Sequence, residues 1–256
     1  MRASEQFDQP SAEFDTKLEQ TRVLLRALVA AHPRADGAVD AAVTQASSLG
    51  AEDMVITHLI ERMQLDVDVF ILDTGLLHRE TLQLLDKFKA TSHLAVHVFR
   101  PSQEAVVQFV NREGIGAMRK SVALRKQCCG LRKVEPLERA LRGKTAWITG
   151  LRREQSGARA SVPHHDNSDP RRTKLNPLSD WTWGDVWHYL AQHELAYNPL
   201  HDQFFPSIGC EPCTRAISLG EDFRAGRWWW EDNDAKECGL HVAPAAPVTS
   251  LKKATP

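Results

Sequence analysis

No stretch of this 256-residue chain approaches the roughly 20 consecutive apolar residues of a membrane-spanning helix, so no membrane partner is expected. Charge of one sign is not in excess either: 32 Lys and Arg face 33 Asp and Glu, for a net charge of −1. That balance argues against a general binder of nucleic acid or membrane surfaces, and any positive field has to be local. The opening residues, "MRASEQFDQPSAEFDTK", contain no apolar core of signal-peptide length, which predicts a cytoplasmic protein. In that reducing compartment the five cysteines are not expected to form a disulfide framework. No internal repeat is apparent. A Gly-x-x-x-x-Gly-Lys-Ser/Thr loop is also missing, and with it the lysine that grips a triphosphate. A less charged nucleotide suits the chain better.

What is present reads as one globular domain. The composition is 42% hydrophobic and 25% charged, and the length is ample for a buried core. "TKLEQTRVLLRALVAAH" spaces its apolar residues as an amphipathic helix does. Strands are expected in "AVTQAS", "VDVFILDTG", "LAVHVFRP" and "KTAWITGLR", with helices between them. Strands alternating with helices predict an α/β fold, a parallel twisted sheet flanked by helices. The loops at the carboxyl ends of its strands then share one rim. Residues 153–174 turn polar and predict a mobile loop, while "SDWTWGDVWHYLAQHEL" predicts a helix whose tryptophans join the core. After "RWWW" the chain becomes Ala/Pro-rich, which predicts one domain over residues 1–235 and a flexible tail over 236–256.

Three rim loops share a chemistry. "SSLGAED" joins a strand to a helix and would present backbone N–H groups and the hydroxyls of Ser47 and Ser48 to an anion. The same loop is also readable as a capped turn. "LDTG" ends a buried strand with Asp73, Thr74 and Gly75, and "GLRREQS" brings Arg152 and Arg153 to another strand end, where they could clamp phosphate or sulfate oxygens.

The cysteines fall as an adjacent pair (Cys128, Cys129), a C-x-x-C (Cys210, Cys213) and Cys238 alone. A disulfide between neighbours strains the peptide that joins them. The C-x-x-C by itself could be a redox dithiol or half a zinc site. With the second pair, a four-cysteine metal site explains more. A contiguous pair is atypical of structural zinc, and an iron–sulfur cluster tolerates unusual spacing. Lys126, Arg132 and Lys133 flank the pair, as cations offsetting an anionic site or as a solvated helix end. Cys238 has polar surroundings and His241 three residues on, the setting of a reactive thiol or of an inert terminal one.

Taken in order, "SSLGAED", "LDTGLLHRET", "CCGLRKVEPL", "GLRREQS", "NPLSDWTWGDVW", "YNPLHDQFFPSIGCEPCTRA", "RAGRWWWED" and "KECGLH" resemble the assimilatory adenylyl-sulfate (APS) reductases over roughly residues 40–241. The resemblance implies an adenine nucleotide α-hydrolase-like fold with a modified pyrophosphate loop. It implies a [4Fe–4S] cluster on Cys128, Cys129, Cys210 and Cys213, and a nucleophile at Cys238. Ser47, Ser48, Gly50, Asp73, Thr74 and Gly75 would hold the AMP part of the substrate. Arg132, Lys133, Arg153, Arg224 and Arg227 would supply charge facing its sulfate, and His241 would also contact the substrate. Thioredoxin would be the electron donor and adenylyl sulfate the small-molecule substrate, with neither nucleic acid nor membrane as a partner; a homo-oligomer is one assembly open to such a chain. Phosphoadenylyl-sulfate (PAPS) reductases share the nucleotide loops but typically lack both cysteine pairs. A tRNA-thiolating ligase of the pyrophosphate-loop type is a second alternative, although its Ser-Gly-Gly-x-Asp-Ser loop is not matched. A non-catalytic zinc module is a third.

Overall fold

A one-turn helix α1 (Ala3–Gln6) leads into α2 (Phe14–Ala31), whose Leu18, Leu25 and Leu28 form the inward stripe that the sequence spacing requires. Three strand–helix units follow: β1 (Val43–Ser47) with α3 (Ala51–Arg62), β2 (Val67–Leu72) with α4 (Arg79–Thr91), and β3 (Val96–Phe99) with α5 (Gln103–Glu113). Next come α6 (Val122–Cys129), α7 (Glu135–Ala140), β4 (Ala146–Ile148), β5 (His165–Asp166), β6 (Thr173–Leu175) and α8 (Trp183–Gln192). The computed structural model describes residues 2–218 and 220–231. Cys238, His241 and the expected tail therefore lie outside the described residues.

The six strands form one sheet in the order β3-β2-β1-β4-β6-β5, parallel throughout except for the β5–β6 pair. Val43, Val69 and Ile148 have essentially no exposure, as strands covered on both faces demand. The expected parallel α/β sheet is thus borne out. Strand order reverses direction between β1 and β4, and the loops leaving these two strands open the crevice where such sheets bind ligands.

The segment 153–174 departs from its reading as a mobile loop. It supplies β5 and the first positions of β6, which continues the sheet beside β4. Lys174 hid the strand: its ammonium lies over the Trp147 ring at 5.4 Å and 3.5 Å from Asp166, so a charged residue sits buried inside a short strand. Leu175 beside it is fully enclosed.

Helix α8 packs Val186, Trp187 and Leu190 into the core as its spacing predicts. Its start is fixed by Asp185, whose buried carboxylate accepts the N–H of Ser11 (2.7 Å) and of Thr182 (2.9 Å) and pairs with the Lys17 ammonium (2.9 Å). Asp185→Ala strips all three partners at once and should cost about 3 kcal/mol or more of unfolding free energy. Urea denaturation reads this directly; a loss below about 1 kcal/mol would show that the N-terminal segment does not depend on it.

Candidate active site and metal centre

Strand β1 ends at Ser47, and the chain turns through Ser48, Leu49 and Gly50 into α3. Ser48 is not left to a ligand: its N–H and its hydroxyl both donate to Asp53 Oδ2, at 2.7 Å each. Burial pushes the Asp53 carboxyl up to about 6 in spite of those bonds. Glu52 next to it goes the other way. Burial would raise it, but the Arg152 guanidinium (Nε to Oε1, 2.9 Å) and the Gln155 amide (3.0 Å) hold it below the usual carboxylate range. One carboxylate has a fixed charge, and its neighbour changes charge close to neutral pH.

Arg152, expected at the rim, is instead fully buried. It bridges Glu52 and Glu154 and lies over the Trp183 and Phe223 rings at 5.3 and 5.5 Å. Arg153 is ion-paired with Asp180 and donates to the Val162 carbonyl. The cation that does reach the crevice from this region is Arg159, which the sequence reading missed; its Nη1 donates to Gln155 Oε1 at 2.6 Å. His201 also lines the crevice unforeseen. Its Nδ1 donates to the Phe205 carbonyl (2.8 Å), so the neutral ring, kept neutral by burial, presents Nε2 as an acceptor. The only signal for either residue lay in the motif surroundings, since neither forms a spaced pair.

Strand β2 leads into Asp73-Thr74-Gly75. Asp73 braces this turn, accepting from Gly75 N (3.0 Å) and pairing with Arg100 (2.8 Å). Gly75 has φ +70°, and a Cβ there would stand 3.3 Å from Arg132 Nη1. That guanidinium donates to the Thr74 carbonyl at 2.7 Å, while Thr74 Oγ1 lies 3.3 Å from Cys210 Sγ. Glu211 N–H donates to the Leu76 carbonyl (2.8 Å), next to the Leu77–Cys210 bridge. One loop therefore holds both cysteine-bearing segments.

Helix α6 delivers Cys128 and Cys129 in its last turn and passes into a π turn, Gly130–Val134. Glu135 N–H reaches back five residues to the Gly130 carbonyl, and Pro136 has no N–H with which to restore the ordinary register. Cys128, Cys210 and Cys213 are buried among Phe109, Met118 and Trp228, with Cys129 at the margin, and all four are free thiols. Burial pushes the Cys128 thiol up, and burial with the neighbouring sulfurs pushes Cys213 up to about 12.

Thiols gathered in an apolar pocket gain little unless a cation ionises them. The groups around them suit an anionic centre: the Arg132 guanidinium favours the Cys128 thiolate, Arg125 bonds Cys129, and the Thr74 hydroxyl meets Cys210. Among the described residues, the one set of metal-ligating groups with all donor atoms within 4.8 Å is Asp40, Asp68 and His97, not the cysteines. Sulfurs on a single tetrahedral zinc stand about 3.8 Å apart.

The two halves meet at a single crevice. Ser47, Ser48, Gly50 and Thr74 line one wall, and Lys133, Arg224 and Arg227 contribute cations. Asp73, Gly75, Arg132 and Arg153 do not line it; the first three act one step back, through the turn they brace. Arg227 is held over Gly209 by Ser207 Oγ (3.2 Å) and the Ile208 carbonyl (3.1 Å), where any Cβ would meet the guanidinium at 2.5 Å.

Residues 42–216 match the model of the phosphoadenosine phosphosulfate reductase domain. The chain is 47% identical to the adenosine 5′-phosphosulfate reductase of Burkholderia cepacia over 94% of both chains. It is 52% identical to the enzyme of that name from Neisseria meningitidis serogroup B, over 77% of this chain and 80% of the other. Among solved structures, a phosphoadenylyl-sulfate reductase from Candida auris in complex with phosphate superposes with a TM-score of 0.63 at 25% identity, covering 78% of this chain and 92% of that one. Candida glabrata FMN adenylyltransferase shares the fold, with a TM-score of 0.56 at 13% identity, over 96% of this chain and 84% of the other.

Two outcomes follow from the loop. A Cβ at Gly150 would meet Asp53 Oδ1 at 2.6 Å, so Gly150→Ala should displace Asp53 and cost about 1–3 kcal/mol in urea denaturation. A stability equal to wild type would show that the Asp53 carboxylate yields to the methyl group without loss. Asp53 holds its proton more tightly folded than unfolded. Its stabilising contribution is therefore present below 3.8 and lost as pH rises through about 6. Asp53→Asn should flatten the pH dependence of unfolding across that window; parallel curves for the two proteins would contradict this.

Proposed function

Because the chain belongs to the phosphoadenosine phosphosulfate reductase domain family, we propose that it reduces adenylyl sulfate to sulfite and AMP, with thioredoxin as electron donor. One observation carries the reading: two cysteine pairs, distant in sequence, come together in one largely buried cluster beside a crevice lined with cations. Cys128, Cys129, Cys210 and Cys213 would hold a [4Fe–4S] cluster, whose charge would help set the field at the substrate's sulfate. The names of the curated relatives support adenylyl sulfate over its 3′-phosphorylated form. So do the cysteine pairs, through the resemblance that ties them to that substrate.

The chemistry belongs to the chain's own residues. The Cys238 thiolate attacks the substrate sulfur, the bond to the phosphate oxygen breaks, and AMP leaves with that electron pair. The enzyme retains an S-sulfocysteine. A thioredoxin thiolate then attacks Cys238 Sγ and releases sulfite, and its second thiol frees Cys238 by forming the thioredoxin disulfide. The two electrons come from the dithiol. An anionic nucleophile approaching a sulfonate needs compensating charge, which Lys133, Arg224 and Arg227 are placed to supply from the crevice. Each well-placed donor is worth about 3 kcal/mol in the transition state. Ser47, Ser48, Gly50 and Thr74 would contact the nucleotide, with Asp73, Gly75 and Arg132 holding the shape of their loop.

Anaerobically purified protein should contain iron and acid-labile sulfide, and should release sulfite from adenylyl sulfate in preference to the 3′-phosphorylated form. Cys238→Ser should abolish sulfite release while leaving iron content and AMP binding intact. Iron-free protein that turns over neither sulfonucleotide would refute the reading.

A further inference from the structure

Helix α6 carries, besides its cysteines, a fully buried arginine. Arg125 Nε donates to Glu231 Oε1 at 2.6 Å, and the guanidinium lies 4.5 Å over the Trp228 ring. The same side chain hydrogen-bonds Cys129. Glu231, its carboxylate almost completely enclosed, is the last described residue before the stretch that carries Cys238.

The segment ending at Glu231 is stitched down along its length. Arg215 N–H donates to the Gly226 carbonyl (3.0 Å), Thr214 bridges Arg227, and Trp228 N–H donates to the Cys213 carbonyl (3.1 Å). Arg119 packs over Trp229 and Trp230 at 5.2 and 5.4 Å. The C-x-x-C thus grips the segment through its backbone, and the adjacent pair grips it through Arg125. Of these ties, only the Arg125–Glu231 pair joins two buried charges. Removing one partner leaves the other charged and unsolvated, so the segment gains by leaving its seat.

We propose that Arg125 is a positioning residue: its buried bridge from Cys129 to Glu231 ties the point where the Cys238 segment departs to the cysteine site. The state of the four thiols is thereby felt at the reactive end of the chain. The functional importance of this tie rests on the reading of Cys238 as nucleophile, but the tie itself can be measured without turnover.

Hydrogen-exchange mass spectrometry on the full chain, with alkylation of Cys238 by N-ethylmaleimide, provides the test. Arg125→Met should speed exchange in peptides covering 226–231 by about tenfold or more and change the Cys238 alkylation rate, while α2 and the sheet exchange as in wild type. Arg125→Lys, which keeps the charge but not the fork, should recover part of the protection. Glu231→Gln opens the tie from the other end with little change in shape and should move the same peptides, which covers the case of an Arg125→Met protein that fails to fold. Removing metal from wild-type protein with a chelator should speed exchange in 226–231, and do so less in Glu231→Gln. Exchange in 226–231 within about twofold of wild type in folded variants would overturn the proposal. So would a uniform rise across the whole chain, which marks a merely structural ion pair. Absence of iron or of sulfite release counts against the proposed function and leaves the exchange outcomes of the Arg125 and Glu231 variants readable.

Discussion

The structure depends on a meeting of segments that are far apart in sequence at the turn after β2. Thr74 takes the Arg132 guanidinium on its carbonyl and sets its hydroxyl against Cys210, so a turn of the crevice is also the wall of the thiol pocket. Gly75 is the local condition for this: its positive φ and missing side chain let Arg132 approach. Crevice and cysteine pocket are in this sense one object. Neither can shift by the width of a methyl group without disturbing the other.

Electrostatics divides that object into two regions. Toward the β1 loop the buried groups are acidic, with Glu52 neutralised by Arg152 and Asp53 occupying the donors of Ser48. Toward the thiols they are basic, with Lys133, Arg224 and Arg227 on the crevice. A polyphosphate would have to displace a carboxylate at the first region. The missing P-loop lysine agrees with this from the side of the sequence.

Much of the fold was legible because apolar runs such as "VDVFIL" have few readings other than a buried strand. The cysteine site was legible for a chemical reason: thiols are scarce, and their spacing carries information. The rim arginines were not legible in the same way. Arg152 and Arg153 look alike in sequence, yet one is consumed by Glu52 inside the core and the other by Asp180. Arg159, in a stretch that read as a polar loop, is the one that reaches the crevice. Which partner an arginine finds is decided by long-range packing, and β6 escaped notice for the same reason, since Lys174 is tolerated there only over Trp147.

The five-residue turn at Gly130–Val134 has a bearing on how this chain is compared with others. It inserts one residue between the thiol pair and Lys133 relative to an uninterrupted helix, and each residue of an α-helix turns the side chain by about 100°. A chain with that residue deleted would keep both sulfurs in place and swing its ammonium to a different side of the helix. An alignment would register that change as a single gap beside matched lysines, whereas only the chain with the wide turn carries the cation on the crevice wall.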